Sequence, residues 1–481
     1  MIYGNSILYG YQQKRKEICE ELQFLMFVSD IVDGTFKYFN ISRIVADTGR
    51  PPSDLKKIIK IIYWGSINKI TSTVEIAKNV RYNLLYQILT EGEEFSDRVI
   101  RKYRKFFYPI YQLILCYTLI VTETLGISDF NSISVDGTIK KANNNKYNII
   151  KVKDISILIR HYMVCKLTKK EIKNLRRSAR KFLENTKISD EDKVNTLFYW
   201  WHLLELTGQS SLALNDLDAR WMKTKDTDTM QLSYNIQVAG DTKSKLIVAI
   251  EVVQSPTDHY QIPVIVNQII ENNHSFEKLT ADTIYLTNIN LHYLKEHGIK
   301  AHIPTRKQSK TMINKLNENP YHIDHFVYLN NEDVYICPQG NKLTLDGEYD
   351  AKPEKGGHER IQLIYSNYMA CKNCPVKNEC TKSDKRTITK YENTLKREAY
   401  KLMETKEGKE EYKKRSRTIE APNGTFKNIF HYNAIPINGL ENVQGLMFII
   451  ASAYNAIRLF NLIKEHEIEY DDVRNIIKSI N

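Results

Sequence analysis

The chain has 481 residues, of which 42% are hydrophobic and 26% are charged. At roughly 150 residues per domain, this length corresponds to about three domains or to one large domain with insertions. The composition excludes collagen-like, low-complexity and wholly disordered chains. The formal net charge of +12 favours a polyanionic partner such as nucleic acid or an acidic membrane surface.

The sequence predicts a cytoplasmic protein without a membrane partner. The best candidate for a spanning helix, residues 108–121, contains Pro109 and Gln112 and falls short of the roughly 18 residues that such a helix needs. The N-terminus lacks a basic-then-apolar signal layout with a small-residue cleavage site. The seven cysteines are therefore expected to be reduced rather than to form a disulfide scaffold.

Residues 1–126 are predicted to form a helical N-terminal domain. Ser53 precedes an isoleucine stripe at helical spacing, and Ser72 and Glu75 have the spacing of a capping box before the next helix. Short helices joined by a tight turn at about 65–71 are typical of a helix-turn-helix reader of DNA. They are equally typical of a helical bundle that serves as a packing platform, and the sequence leaves both open.

The pattern changes at FNSISVDGTIKKAN, where Ile133 and Val135 alternate with polar residues and predict a strand that ends at Asp136. After a helical segment at about 150–206, the runs LSYNIQVAGD and SKLIVAIEVV predict a hairpin. A helix, a strand, a helix and a strand follow, which is the pattern of an α/β fold with a mixed sheet. A charged, cysteine-containing segment, residues 308–411, precedes the helical C-terminus.

A stripe of basic residues marks the helical segment at about 150–206. Its members recur three or four residues apart and are Lys166, Lys170, Lys173, Arg177 and Arg180. Such a stripe is commonly a solvated helix face, but its excess of one sign also suits contact with phosphates. The sequence leaves both interpretations open.

Three acids stand near the ends of predicted elements: Asp136 after the first strand, Asp282 in TADTIY, and Glu420 near a helix start in RSRTIEAPNGTFK. Each alone can be a cap or a turn former. Converging on one site, they would repel one another unless divalent cations neutralised them. Two Mg²⁺ ions about 4 Å apart can activate a water or a 3′-hydroxyl and stabilise a leaving 3′-oxygen, which is phosphodiester chemistry.

Four cysteines have the spacing of a metal site. Cys371 and Cys374 form a C-x2-C knuckle, Cys380 follows, and Cys337 lies upstream in a CPQG turn. Four thiolates can bind one structural Zn²⁺ tetrahedrally. The alternative is a set of reduced thiols packed in a small subdomain without metal.

Sequence blocks in the same order over most of the chain resemble the DDE-type transposases of bacterial insertion sequences. They are SVDGTIKKAN, DLDARWMKTKD with LSYNIQVAGD, PTDHYQ, TADTIY, the YICPQGNKL and CKNCPVKNEC pair, and RTIEAPNGTFK with NVQGLMFIIASAYNAIRLF. The resemblance implies an α/β fold with an RNase H-like catalytic core, a mixed sheet with flanking helices. An all-α N-terminal domain (1–126) that binds DNA ends would precede this core (127–307 and 412–481), which helical and cysteine-containing (308–411) insertions would interrupt.

The resemblance also assigns roles to residues. The catalytic acids, which would bind two Mg²⁺ or Mn²⁺ ions, are Asp136, Asp282 and Glu420. Lys427, seven residues after the glutamate, resembles the family's contact to the DNA backbone. Arg415 and Arg417 precede the glutamate as arginines do in related enzymes, but the spacing departs by one from the usual arrangement, so which arginine acts stays open.

Four further residues fall in family blocks, namely Asp218, Arg220, Asp258 and His259. Strand-end hydrogen bonding and a supporting role near the metals are both open for them. The resemblance implies a homo-oligomeric transposase, cytoplasmic and nucleoid-associated when bound, that binds terminal inverted repeats of double-stranded DNA and cleaves and joins them. The alternatives are a metal-dependent nuclease of the same fold that no longer transposes, and a catalytically inactive DNA-binding protein.

Overall fold

The fold is seen in a computed structural model of the chain. The ranges that it describes are residues 2–41, 53–106, 108–145, 147–223, 229–272, 274–305, 318–329, 331–351, 360–391, 394–428 and 434–480.

Helices make up the described N-terminal part. They are α1 (Ile2–Tyr38), α2 (Leu55–Ile67), α3 (Thr73–Tyr82), α4 (Leu84–Thr90), α5 (Asp97–Phe106) and α6 (Tyr108–Thr124). Asp54 caps α2 by accepting from Lys57 N at 3.2 Å, and Ser72 caps α3 as its position before Glu75 predicts. The isoleucine stripe of α2 is buried, so this helix packs inside the protein while α3 exposes one face.

Strands and helices alternate in the central part. They are β1 (Ser132–Lys141), β2 (Ile149–Lys151), α7 (Val152–Met163), α8 (Lys169–Asn174), α9 (Arg177–Leu183), α10 (Asp190–Thr207), β3 (Ser211–Ala213), β4 (Arg220–Lys223), β5 (Met230–Asp241), β6 (Ile247–Val253), α11 (Ile262–Glu271), β7 (Lys278–Thr280), α12 (Asn288–Glu296) and β8 (Lys300–His302).

The remaining described elements belong to the cysteine-containing segment and the C-terminus. They are β9 (Val327–Leu329), β10 (Val334–Ile336), β11 (Lys342–Ala351), β12 (Arg360–Ser366), α13 (Tyr368–Lys372), α14 (Lys377–Cys380), β13 (Thr387–Tyr391), α15 (Thr394–Glu404), α16 (Lys406–Asn428), α17 (Leu440–Glu465) and α18 (Tyr470–Ser479).

The central sheet is mixed and has the order β4-β5-β1-β7-β8, with β6 paired to β5. β1, β5 and β6 are antiparallel neighbours, whereas β7 and β8 run parallel to β1. Helices cover this sheet, and the predicted α/β fold with an RNase H-like mixed sheet is confirmed. The five-stranded sheet β13-β12-β11-β10-β9 forms a separate layer in the cysteine-containing segment.

One hydrophobic core joins the N-terminal helices to the central sheet. The buried helix α17 lies between them, where Tyr63 of α2 donates to Ser452 O at 2.9 Å and the Phe24 and Phe460 rings stand 4.8 Å apart. The helical insertion has its own core, closed by the short ribbon of β2 and β3. The N-terminal helices therefore support the sheet through α17.

α17 is also long and apolar enough to cross a membrane by length and composition. It exceeds the stretch 108–121 that the sequence suggested as the best candidate. Because 83% of its apolar window is buried inside the protein, its apolarity is that of a core helix.

Candidate active site

Asp136 lies within β1 and Asp282 follows the end of β7, its parallel neighbour, at the same level. Ser134 of β1 pairs with Thr280 of β7, and their hydroxyl oxygens lie 2.6 Å apart. Each aspartate is two residues further along and so points to the same face as its hydroxyl neighbour. Strands in a sheet lie about 4.8 Å apart, which brings the two carboxylates to one site.

β1 does not end at Asp136 as the sequence suggested. Asp136 and Gly137 pair with Val238 and Gln237 of β5, and the strand continues to Lys141. The pair Asp-Gly signals a turn, but here the glycine serves a close approach. A Cβ on Gly137 would stand 2.2 Å from Asp258 Oδ1, so this position needs a residue without a side chain.

A buried polar network supports the strand behind Asp136. Asn235 and Gln237 each donate a side-chain N–H to Asp258 Oδ1 at 2.7 Å. Tyr285 then donates its hydroxyl to Gln237 Oε1 at 2.6 Å. Of the two roles open for Asp258, the structure favours the supporting one beside the acids.

Asp282 is fixed by a local turn. Its side chain accepts from Ile284 N at 3.0 Å and caps a short 3₁₀ turn, Thr283–Tyr285. The carboxylate remains partly exposed. It can therefore serve the turn and still face the site.

α16 crosses the sheet beside these acids. Glu407 binds Lys278 at 3.1 Å, Glu411 accepts from the Ser132 hydroxyl, and Arg415 Nη2 lies 3.1 Å from Asp136 Oδ1. Spacing of four residues puts these three side chains on one helix face. Arg415 thus pairs with Asp136, one of the three predicted acids, whereas Arg417 is exposed.

The titratable groups around the acids report their proximity. Burial raises the pKa of Tyr285 well above its usual value, and the carboxylates of Asp258, Asp136 and Asp282 add to the rise. The pKa of Arg415 is raised above its usual value. Burial lowers this pKa, but the negative charge of Asp136, together with Tyr412 and Asp282, raises it by more. Both aspartates therefore act on the same guanidinium.

Glu420 and Lys427 both lie on α16, but their side chains fall outside the described residues. The sequence placed Glu420 near a helix start, and this is wrong, because α16 begins at Lys406 and continues to Asn428. Pro422 and Gly424 gave the misleading signal of a break. The helix that carries Glu420 is the one that holds Arg415 against Asp136.

Asp218 and Arg220 hydrogen-bond to backbone groups. Asp218 Oδ2 accepts from Leu440 N at 2.9 Å and so caps α17. Arg220 donates to Leu217 O at 2.6 Å and is buried. His259 contributes its carbonyl to Asn290 Nδ2 at 2.7 Å, and its side chain is exposed. For these three residues the structure favours structural hydrogen bonding.

The basic stripe does not lie on one helix. Lys166 precedes α8, and its Nζ stands 5.7 Å from the Tyr162 ring centroid. Lys170 and Lys173 lie on α8, whereas Arg177 and Arg180 lie on α9. The helical run is interrupted between α8 and α9 at Leu175, which is buried in the core of the insertion. All five except the half-buried Arg180 are exposed.

Cys337, Cys371, Cys374 and Cys380 line one cavity of about 30 Å³. Asn341 N donates to Cys337 Sγ at 3.3 Å, and Arg386 N donates to Cys371 Sγ at 3.4 Å. Burial raises the pKa of Cys380, the Arg386 charge opposes this, and the other three thiols add to the rise. Four thiols with N–H donors fit the chemistry of a zinc site.

Across the described part of the chain, no group of three or more His, Cys, Asp or Glu residues is arranged so that it could hold a metal ion. The four thiols therefore share a cavity without standing at coordinating positions. Asp136 and Asp282 are two of the three predicted acids, and the third side chain is not among the described ones.

Sequence reasoning missed four residues of this site: Asn235, Gln237, Tyr285 and Tyr412. The sequence contained two signals that could have pointed to three of these residues. Asn235 and Gln237 are polar residues at alternate positions of a strand, and Tyr285 follows Asp282 by three residues. Tyr412 has Arg415 as its neighbour one helical turn on, and burial raises its pKa against the lowering effect of that arginine.

Two family models match parts of the chain. The model of the Transposase DDE domain matches residues 336–460, and that of the Transposase domain (DUF772) matches residues 13–106. No curated protein matches the chain. The first match includes Glu420 and the four cysteines but begins after Asp136 and Asp282.

Both matches support a transposase of the DDE type. In general, transposases of this type bind and rearrange DNA and use divalent metal ions.

Proposed function

We propose that the chain is the transposase of a bacterial insertion sequence, which binds the element's terminal inverted repeats, cleaves there and joins the freed 3′-hydroxyl to target DNA. The observation that carries the proposal is the matched register of Asp136 and Asp282 on parallel strands, beside the helix that bears Glu420. The net charge of +12 suits such a substrate.

Asp136, Asp282 and Glu420 would hold two Mg²⁺ or Mn²⁺ ions. Carboxylate oxygens are the ligands that these hard cations prefer, and the Arg415 guanidinium already sets a positive charge against Asp136 at 3.1 Å. When bound, the ions would neutralise charge on the attacking and leaving oxygens. The chain's own contribution is to hold the carboxylates in place, through Asp258 behind β1 and through the turn at Asp282.

The test is cleavage and joining of a labelled duplex that carries the terminal repeat, with Mg²⁺ or Mn²⁺. We expect the wild type to cut and join, and Asp136→Asn, Asp282→Asn and Glu420→Gln to bind without doing either. Asp384→Asn, an exposed aspartate in the cysteine-containing segment, is the matched control and should keep full activity.

Each of the other outcomes favours one of the alternative functions. Cleavage without joining would favour the nuclease alternative. Binding without cleavage by the wild type, or equal activity of all variants, would contradict the assigned acids and favour the inactive DNA-binding alternative.

We also propose that basic residues of α16 and of the helical insertion contact the DNA backbone. The exposed Arg417 and the α16 residue Lys427 are close in sequence to Glu420, and Lys170 and Arg177 are exposed on the insertion. Charge reversal at Lys170 and Arg177 should weaken binding and flatten its salt dependence. Unchanged affinity and salt slope would leave these residues as a solvated face.

For the four-cysteine cavity we propose one structural Zn²⁺. Metal analysis of purified protein should find about one zinc per chain. Cys374→Ser should lose it, whereas Cys165→Ser, an exposed cysteine outside the cavity, should keep it. A zinc content well below one per chain in the wild type would favour packed, reduced thiols.

The active form is proposed to be a homo-oligomer in the cytoplasm that holds two DNA ends together. Light scattering of the protein on duplexes with the terminal repeat should give two chains and two duplexes per complex. A complex of one chain with one duplex would contradict this proposal.

A further inference from the structure

A basic groove lies apart from the acids, between α5 and the approach to α17. It has a volume of about 320 Å³ and is lined by Arg101, Arg104, Lys105, Tyr108, Asn143, Pro436, Ile437, Asn438 and Asn442. We call it the α5 groove. Its described lining has three cations and no carboxylate.

From this groove we infer a subsite for the phosphate backbone of the bound DNA. The inference rests on the proposed function, since it assumes that the duplex reaches the acids. It names a contact surface separate from α16 and from the helical insertion.

The walls of the groove are held in place from three sides. Arg104 Nη1 donates to Thr71 O at 2.6 Å, which ties the end of α5 to the loop before α3. Asn143 Nδ2 donates to Pro436 O at 3.3 Å, and Asn442 Nδ2 donates to Asn438 O at 2.8 Å. These contacts form a preset cleft rather than a loose surface.

The cations that face the groove can still take a phosphate. The Arg101 side chain is 63% exposed and binds Asp97 at 2.8 Å. A guanidinium has five N–H donors, so this pair leaves donors for a second anion. Lys105 is exposed one turn further along the same helix.

The distance between the groove and the acids limits which phosphates of the DNA the groove can contact. Asn143 lies two residues beyond β1, whose end pairs with the chain after α16 through Ile435 N and Lys141 O at 2.8 Å. The seven residues from Asp136 to Asn143 span at most about 23 Å at roughly 3.3 Å per residue. At about 3.4 Å per nucleotide along a straight strand, a phosphate beside Asn143 lies at most about seven nucleotides from the scissile one.

The test combines a protein variant with neutral phosphates. The variant is Arg101→Gln with Lys105→Gln, and the matched control is Lys243→Gln with Lys478→Gln, two exposed lysines elsewhere. Each released counterion contributes about 0.9 to the slope of log K against log salt. We expect the groove variant to lower that slope by about two and to bind the terminal-repeat duplex about 60-fold less tightly at 0.1 M salt. The control should behave as wild type.

Single methylphosphonates along the duplex then locate the contact. In the wild type, neutral linkages at a few positions within about seven nucleotides of the cleavage site should weaken binding, and the groove variant should be insensitive to them. If the loss of affinity caused by the groove variant and the loss caused by a neutral linkage add in full at every position of the duplex, the inference is overturned. Equal affinity of groove variant and control would also overturn it while leaving the proposed function intact.

Two controls separate other failures. If the wild type binds neither the terminal repeat nor random duplex, the proposed function itself fails. If the double variant unfolds at lower urea than the wild type, Lys105→Gln alone, at an exposed site, gives the same comparison with an expected loss of about eightfold.

Discussion

The ion pair between Arg415 and Asp136 should stabilise the metal-free protein. At 3.1 Å and an effective dielectric constant of 20, the Coulomb attraction is about 5 kcal/mol before desolvation. Desolvation offsets much of this, and both side chains are about one-fifth exposed, at 19% and 20%. We therefore expect Arg415→Gln to lower the free energy of unfolding by about 1–3 kcal/mol in EDTA.

The Arg415→Gln change should also strengthen the binding of divalent ions. With the guanidinium gone, the carboxylates of Asp136 and Asp282 lose one positive charge that acts on both of them, so a metal ion gains relative to the wild type. Urea unfolding with EDTA and with Ca²⁺ measures both effects, because a ligand that binds the folded state adds stability according to its occupancy. Ca²⁺ should stabilise Arg415→Gln more than it stabilises the wild type.

Arg417→Gln is the matched control, since Arg417 is exposed two residues further along α16. Its free energy of unfolding should stay within about 0.5 kcal/mol of the wild type. Equal stability of the two variants in EDTA, or an equal gain from Ca²⁺ in Arg415→Gln and the wild type, would refute the reasoning.

Three further predictions concern the surroundings of the site. Gly137→Ala places a Cβ 2.2 Å from Asp258 Oδ1, so urea unfolding should show a loss of about 1–3 kcal/mol, and an unchanged midpoint would contradict the close packing. Asp218→Ala removes the cap on Leu440 N and should cost about 0.5–2 kcal/mol, with Asp218→Asn recovering most of it by the same measurement. Burial raises the pKa of Glu251 from 4.5 to about 7, with Glu271 adding to the rise, so the folded state binds the extra proton. Stability should therefore fall as the pH rises from about 4.5 to about 7. Glu251→Gln should remove this part of the pH dependence, and an identical pH profile would count against the raised pKa.

The central sheet could be predicted because its strands are apolar and alternate. β5 and β6 are rich in Tyr, Ile and Val, and their hairpin is present as expected. The five-stranded sheet of the cysteine-containing segment was not predicted. Most of β11 is exposed, so its residues carry little of the burial signal that marks a half-buried strand.

Part of the site was also within reach of the sequence. Asp136 and Asp282 could be named because they stand near the ends of predicted strands and fall in blocks of the family resemblance, although β1 in fact continues past Asp136. The contact of Arg415 with Asp136 joins residues 279 positions apart and depends on how α16 crosses the sheet, which no local pattern encodes. The need for a glycine at position 137 was not predicted for a similar reason, since the residue that requires it is the distant Asp258.

The central claim is that Asp136, Asp282 and Glu420 meet at one divalent-metal site. Fe²⁺ in place of Mg²⁺, with ascorbate and peroxide, generates hydroxyl radicals that cut the protein backbone next to bound metal. The account predicts three cuts, close to residues 136, 282 and 420, that excess Mg²⁺ suppresses and Asp136→Asn abolishes. Cuts that spare any of the three positions, or that persist in Asp136→Asn, would contradict it.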